Sequence, residues 1–261
     1  MSVAPLSAGN ARVKQLRRLS RRSERSERRL FLAEGRNAVV AALTAGVVVE
    51  VLALPGREHL LPDLPENLPL TLVDQRALTA LTDTVTPAGV VALCRFLDVP
   101  LEQALTGPFV AICADVADPG NAGTVIRCAD AAGASSVVLA GNAVDLYNPK
   151  TLRASAGSAF HLPVHVAAEV PAVIAAAQAA GFQVLATQAA GDVDLFAADD
   201  LLARPTAWLF GNEAHGLAPE HAALADHRVS IPIHGRAESL NLATAAAVCL
   251  YASARVRHAR G

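Results

Sequence analysis

The chain has 261 residues, 52% of them apolar and 18% charged, with a formal net charge of −2. It is too apolar for a disordered chain and long enough for one large domain or two modest ones. The near-neutral total hides an asymmetry. Residues 1–36 hold ten Lys or Arg against three Glu, a balance of +7, and the rest holds twelve against twenty-one acidic residues, a balance of −9. So many cations at one end point to a polyanion partner, with a solubilising amphipathic helix as the plainer alternative. The cysteines Cys94, Cys113, Cys128 and Cys249 form no C-x-x-C pair and sit in apolar stretches. They read as reduced, buried thiols, with no zinc or other metal site. The opening MSVAPLSAGNARVKQ lacks the apolar core of a secretory signal, and every apolar run breaks before membrane-spanning length. The expectation is a soluble, cytoplasmic protein without membrane contact.

In chain order, Val13, Leu16 and Leu19 form an apolar stripe that predicts a helix start with arginine on its other faces. Residues 31–35 read as strand and turn, 37–45 as a helix, and 47–54 as a β-branched strand punctuated by Pro55-Gly56. Residues 68–73, a helical 75–81 and a strand at 89–96 complete a small α/β domain over 1–97. Residues 98–108 (DVPLEQALTGP), with two prolines and a glycine around one possible helical turn, read as a linker. The pattern restarts with a mostly apolar strand at 109–115, as expected of a parallel strand buried on both faces. A turn at 118–123 leads into a helix ending near Gly133. Strands follow at 135–140, at 182–187 after the Ala-rich helix 171–180, at 206–210 and at 229–233, and a helix over 241–256 closes the chain. Strands alternating with helices predict an α/β domain over 109–261, its parallel sheet covered on both faces.

Three segments place glycine and polar groups just after buried strands, where open α/β sheets bind ligands. They are 115–127 (DVADPGNAGTVIR), 209–217 (LFGNEAHGL) and 231–243 (IPIHGRAESLNLA). Gly120 and Gly123 are three apart, so G-x-G-x-x-G is absent, and no G-x-x-x-x-G-K-[ST] loop occurs. Dinucleotide and P-loop chemistry are thereby disfavoured. His161 and His165 are four apart, but Pro163 between them argues against helical metal-ligand geometry.

Taken together, Asn121 and Arg127 in the first segment, Gly211-Asn212-Glu213 and Gly216-Leu217 in the second, and Ile231-Pro232 with Glu238-Ser239-Leu240-Asn241 in the third resemble the SpoU/TrmH family. These are ribose methyltransferases of the SPOUT superfamily, and the resemblance spans roughly 108–257. It implies a trefoil-knotted α/β domain that binds S-adenosylmethionine and works as a homodimer through the C-terminal domain, with the active site near the interface. A knot cannot be read from periodicity, because threaded connections are rare. The implied acceptor is a ribose 2′-hydroxyl of RNA.

On that resemblance Arg127, Asn121, Glu213, Ser239 and Asn241 are the catalytic candidates. Gly211, Asn212, Gly216, Ile231 and Leu240 are the cofactor-binding candidates, with Thr187 flanking. A guanidinium is a poor base, its pKa lying above about 12, so Arg127 is better suited to orient a phosphate and stabilise charge. Asn121, at the expected entrance of a helix, is as much a capping residue as a substrate contact. Glu213 is either a site residue or a carboxylate holding loop amides, and His215 reads as incidental. Ser239 and Asn241 suit the cap of the last helix as well as a ligand hydroxyl.

The segment 28–35 (RRLFLAEG) resembles, more weakly, the start of the small substrate-binding domain that precedes the catalytic domain in ribosomal-RNA members. With the basic cluster Arg12, Lys14, Arg17, Arg18, Arg21, Arg22 and Arg25, and Arg153 further on, it implies RNA contact. Aromatic residues are only 4% of the chain, so shape and backbone should dominate recognition over base stacking. Ribosomal RNA is favoured over transfer RNA, whose enzymes often lack the front domain; the rival from another class is a non-catalytic RNA-binding protein on the same fold.

Overall fold

A computed structural model of the protein describes residues 4–84, 86–167 and 169–259, so the outermost ends of the two expected domains lie outside the described residues. The chain divides into two compact units, Met1–Leu97 with Tyr147–His161, and Asp98–Leu146 with Leu162–Gly261.

The first unit runs α1 (Ala11–Arg17), α2 (Arg22–Arg28), β1 (Leu30–Glu34), α3 (Arg36–Thr44), β2 (Val48–Ala53), β3 (Leu70–Leu72), α4 (Gln75–Leu81) and β4 (Val90–Arg95). Its sheet has the order β1-β4-β2-β3, antiparallel except for the β2/β3 pair. The Asn10 side chain caps α1 by accepting from Arg12 N at 2.8 Å. Val13, Leu16 and Leu19 are buried against Leu32, Leu52, Leu78 and Leu93. Each such burial contributes about 1.5–3 kcal/mol, which anchors the basic segment to the sheet. Helix α2 (RSERSER) has no apolar residue, so periodicity gives no sign of it. Its support is polar: Glu24 lies between Arg18 and Arg28, and the buried Arg25 donates to Leu19 O and Ser20 O at 2.8 and 2.9 Å.

The second unit begins with α5 (Leu101–Ala104), β5 (Phe109–Ala114), α6 (Pro119–Ala132) and β6 (Val137–Ala140). The chain then returns to the first unit for α7 (Pro149–Ala154). It resumes the second with β7 (Val164–Ala167), α8 (Val170–Ala179), β8 (Gln183–Thr187), β9 (Val193–Asp194), α9 (Asp199–Leu202), β10 (Thr206–Phe210), α10 (Pro219–Leu224), β11 (His227–Ser230) and α11 (Leu242–His258). All seven strands are parallel, in the order β7-β6-β5-β10-β8-β11-β9. Every residue of the central β5 and β10 is buried, which explains the unbroken apolar runs Phe109–Ala114 and 207–210. Trp208 on β10 donates its ring N–H to Ser253 of α11 at 2.9 Å, so neither buried polar group is orphaned. The last strand, expected at 229–233, stops at Ser230; Pro232 has no amide to continue the ladder.

Residues 98–108 contain the anticipated single helical turn, packed into the second unit through Val99 N to Val164 O at 2.9 Å and Ser136 Oγ to Ala104 O. The segment Tyr147–His161 lies within the expected 109–261 domain by sequence, yet it completes the core of the first unit. The Tyr147 ring stacks on Phe96 with centroids 3.7 Å apart, and its hydroxyl accepts from Leu97 N at 2.8 Å. Phe160 lies 6.0 Å from Phe31. The four cysteines are free thiols; burial pushes Cys94 and Cys113 up to about 12.

Candidate active site

Helix α6 begins where its sequence allows. Asp118 accepts from Asn121 N at 2.8 Å as the cap, Pro119 occupies the first turn, and Gly133 closes the helix in the left-handed region. Because Asp118 takes the capping role, the Asn121 side chain is available for other contacts. Its Nδ2 donates to Glu213 Oε1 at 3.1 Å and its Oδ1 accepts from Asn241 Nδ2 at 3.1 Å. Asn241 in turn caps α11, its Oδ1 accepting from Ala243 N at 2.9 Å and Thr244 N at 3.3 Å. One residue from each of the three segments is thus joined in a single chain of side-chain hydrogen bonds.

Glu213 also accepts from Ala117 N at 3.1 Å and Asp118 N at 3.0 Å. Partial burial by itself pushes its carboxyl up. Backbone amides of Ala117, Glu213 and Asp118, with the Asn121 amide, outweigh that and hold it below the usual carboxylate range. Asn212 locks the same loop from the other side, with Nδ2 donating to Asp115 O and Oδ1 accepting from Ala214 N, both at 2.8 Å. Asp115 itself adopts a positive φ of 56°, and its Oδ1 accepts from Asn142 N at 2.8 Å. Asp115 and Asp118 were not singled out from sequence. The Asp-Pro start of α6 is a readable helix signal, whereas nothing local marks Asp115.

These loops enclose a cavity of about 790 Å³, within the usual range of small-molecule sites. Thr187, Gly211, Asn212, Gly216, Ile231 and Leu240, the six cofactor candidates, all line it, as do Glu213 and Ser239. Leu217, Leu242 and Ala245 add apolar wall suited to a purine. Gly211 is required for this shape. A Cβ there would run into the backbone of Gly216 and Leu217, which fold back through Asn212 N to Gly216 O at 2.8 Å and Gly216 N to Asn212 O at 2.9 Å. Thr187 ends β8 and donates to Leu209 O at 3.3 Å, and the exposed Ser239 hydroxyl has no hydrogen-bond partner among the described residues. In size, chemistry and glycine cradle the cavity suits S-adenosylmethionine. His215 is exposed at the tip of the loop, and His165 Nδ1 lies 2.7 Å from Val99 O.

Arg127 is placed apart. It is exposed on α6, six residues beyond Asn121, which on an α-helix is about 9 Å along the axis and about 120° around it. It does not line the cavity and has no hydrogen-bond or ion-pair partner among the described residues.

In the first unit the basic candidates fall into two groups. Arg12 is bound to Glu50, at 3.1 Å through Nε and 2.5 Å through Nη2, and Glu50 also accepts from Thr71 at 2.7 Å. Arg18 pairs with Glu24 at 3.2 Å, Arg25 is buried, and Arg153 pairs with Asp83 at 2.8 Å and Glu34 at 3.5 Å. Lys14, Arg17, Arg21 and Arg22 are exposed, with no such partner among the described residues. The first unit carries fifteen Lys or Arg against nine acidic residues, +6, and the second carries seven against fifteen, −8. No helix among the described residues is long and apolar enough to cross a membrane, and no cluster of three or more His, Cys, Asp or Glu able to hold a metal occurs among them.

Comparison with known proteins bears on both units. Residues 108–251 match the SpoU rRNA Methylase family, and residues 10–92 match the MRM3-like substrate binding domain. The 23S rRNA (guanosine(2553)-2′-O)-methyltransferase RlmP of Bacillus subtilis is 34% identical over 245 residues, 94% of this chain and 96% of that protein. Among solved structures, the AdoMet-bound rRNA methyltransferase from Sinorhizobium meliloti has a TM-score of 0.84 at 35% identity, covering 96% of each chain. The SpoU methyltransferase AviRb from Streptomyces viridochromogenes, in complex with the cofactor AdoMet, has a TM-score of 0.82 at 32% identity, covering 95% of this chain and 98% of that one. Agreement along nearly the whole length, together with the three joined strand-end segments, establishes that this chain belongs to the SpoU rRNA methylase family.

Proposed function

We propose that the protein transfers a methyl group from S-adenosylmethionine to a ribose 2′-hydroxyl of ribosomal RNA. The observation that carries this reading is the Glu213–Asn121–Asn241 hydrogen-bond chain at the edge of a cavity of cofactor size. When bound, S-adenosylmethionine supplies a methyl already activated on a sulfonium. The protein's own task is to fix the acceptor hydroxyl and accommodate its proton. Gly211, Asn212, Gly216, Ile231 and Leu240 hold the cofactor, with Thr187 at its flank. Glu213 accepts from three separate donors, so it acts as a positioning residue that fixes Asn121. Asn121, Asn241 and Ser239 then meet the ribose, and Arg127 grips the adjacent phosphate, which helps take up the proton.

The reading includes a cytoplasmic homodimer through the second unit and the trefoil knot implied by the family. The dimer is supported by Arg127 lying outside the cavity of its own chain, and by Tyr251, 53% exposed on α11, the helix packed against α6. In a two-fold arrangement the same surface serves both copies, so Arg127 of each chain serves the cavity of the other. Most of the RNA affinity resides in the first unit, on Lys14, Arg17, Arg21 and Arg22, because the second unit is net anionic and offers few free cations. Arg12, Arg18, Arg25 and Arg153 shape that surface through their internal partners.

The test is transfer of labelled methyl from S-adenosylmethionine to purified ribosomal and transfer RNA, with the product mapped at ribose. Ribose label on ribosomal RNA is the expected result. Label on transfer RNA alone overturns the substrate, and cofactor binding without transfer to either overturns the activity.

A further inference from the structure

An RNA strand entering the second unit meets a surface of net charge −8, so any contact there depends on the few cations still available. The unit has no lysine, and half of its six described arginines are committed. Arg228 is paired with Asp192, Arg255 with Asp199, and Arg257 donates to Arg204 O and lies 5.7 Å from the centre of the Phe109 ring. Three have no side-chain hydrogen-bond or ion-pair partner among the described residues: Arg127, Arg204 and Arg236. Arg204 precedes β10, at the end of the parallel sheet opposite the cavity. Arg127 already has a role in the proposed reaction. Arg236 remains, and it lies at the ligand-binding end.

Its setting is unusual for this unit. Residues 233–241 form an unbroken exposed stretch between β11 and α11, anchored at both ends in the cavity wall by Ile233 and by Glu238, Ser239 and Leu240. Arg236 sits at the outward part of this arc, which does not line the cavity, and a Cβ added at the neighbouring Gly235 would meet nothing within 4 Å. Exposed Ile233 and Leu240, at 39% and 37%, flank it. A guanidinium there has reach, no internal partner to give up, and a planar fork matched to a phosphate.

We infer that Arg236 is an RNA-contacting residue that clamps a backbone phosphate next to the target ribose at the rim of the cavity. This rests on the protein being an RNA ribose methyltransferase. Such a contact positions the acceptor without taking part in cofactor binding, so it acts on KM for RNA and on the salt dependence of binding.

The experiment compares full-length wild type, Arg236→Ala and Arg236→Lys in methyl transfer to deproteinised ribosomal RNA, with RNA affinity measured across a salt series and cofactor affinity by calorimetry. Expected for Arg236→Ala are a KM for RNA raised about tenfold, a log–log salt slope shallower by about one, and unchanged cofactor affinity. Arg236→Lys should recover the salt slope, because it keeps the charge, while regaining only part of the KM. Unchanged KM and slope in Arg236→Ala, with the wild type active, overturn the role of Arg236 and leave the proposed function standing. A wild type that binds cofactor yet methylates no RNA overturns both.

Discussion

The substitution Gly211→Ala isolates the cofactor cradle. The added methyl would lie more than 1 Å inside the 3.4 Å lower edge of ordinary contact, against backbone atoms of Gly216 and Leu217. No rotamer relieves a clash between a Cβ and main chain, so the Gly216–Leu217 backbone must move away from Gly211 and Asn212 by roughly that distance. The movement stretches the paired bonds between Asn212 and Gly216 beyond hydrogen-bond range. Losing two such bonds costs about 1–3 kcal/mol and the residual strain about 1–2 kcal/mol more. For a chain of this length that lowers Tm by about 5–15 °C without unfolding the sheet. Cofactor binding should suffer more, because loop groups displaced by about 1 Å lose their alignment with the ligand. A loss of about 100-fold in affinity is expected. Calorimetric titration with S-adenosylmethionine and thermal unfolding measure the two effects separately. Normal cofactor affinity in a folded Gly211→Ala protein would refute the cradle.

Mixing inactive Asn121→Ala and Arg127→Ala proteins after subunit exchange should restore about a quarter of wild-type turnover, since half of the dimers gain one intact site if Arg127 acts across the interface; no recovery places it within its own chain. Arg12→Ala should lower stability by roughly 2 kcal/mol, because Glu50 loses its charged partner and keeps only Thr71. The triple change of Arg17, Arg21 and Arg22 to Ala should leave Tm within about 2 °C and make the salt slope of RNA binding shallower by two to three units, approximately. A triple variant with unaltered RNA affinity would move the RNA surface elsewhere. Glu213 is held below the usual value of 4.5, so its hydrogen bonds contribute fully above that pH and are lost as pH falls through the lower folded value. In Glu213→Gln the acid limb of a Tm-against-pH curve should be flatter between about pH 5 and 3; an unchanged limb removes Glu213 from the linkage.

The parallel sheet of the second unit was legible because buried strands carry unbroken apolar runs, as in Phe109–Ala114 and 207–210. Helix α1 was legible from three apolar residues at helical spacing. Elements without such a period were not. Helix α2 is held by arginine–glutamate pairs, and β7 and β9 are short edge strands. The six cofactor candidates were named from their motifs, and all line one cavity. The partition of the basic residues was hidden, because Arg12 and Arg17 look alike until Glu50, thirty-eight positions from Arg12, comes into place.

By itself, then, the sequence determined the class of fold, the motifs and the charge asymmetry, since periodicity, glycine spacing and composition are local properties. Tertiary structure decided which groups meet. It moved the cap of α6 to Asp118 and so left Asn121 for Glu213 and Asn241, ninety-two and 120 residues away. It brought Tyr147 and Phe160 into the core of the first unit and left Arg127 outside the cavity of its own chain. Such pairings depend on how the chain is threaded through space, and hydrogen bonds between residues a hundred positions apart leave no periodic trace in either partner's neighbours.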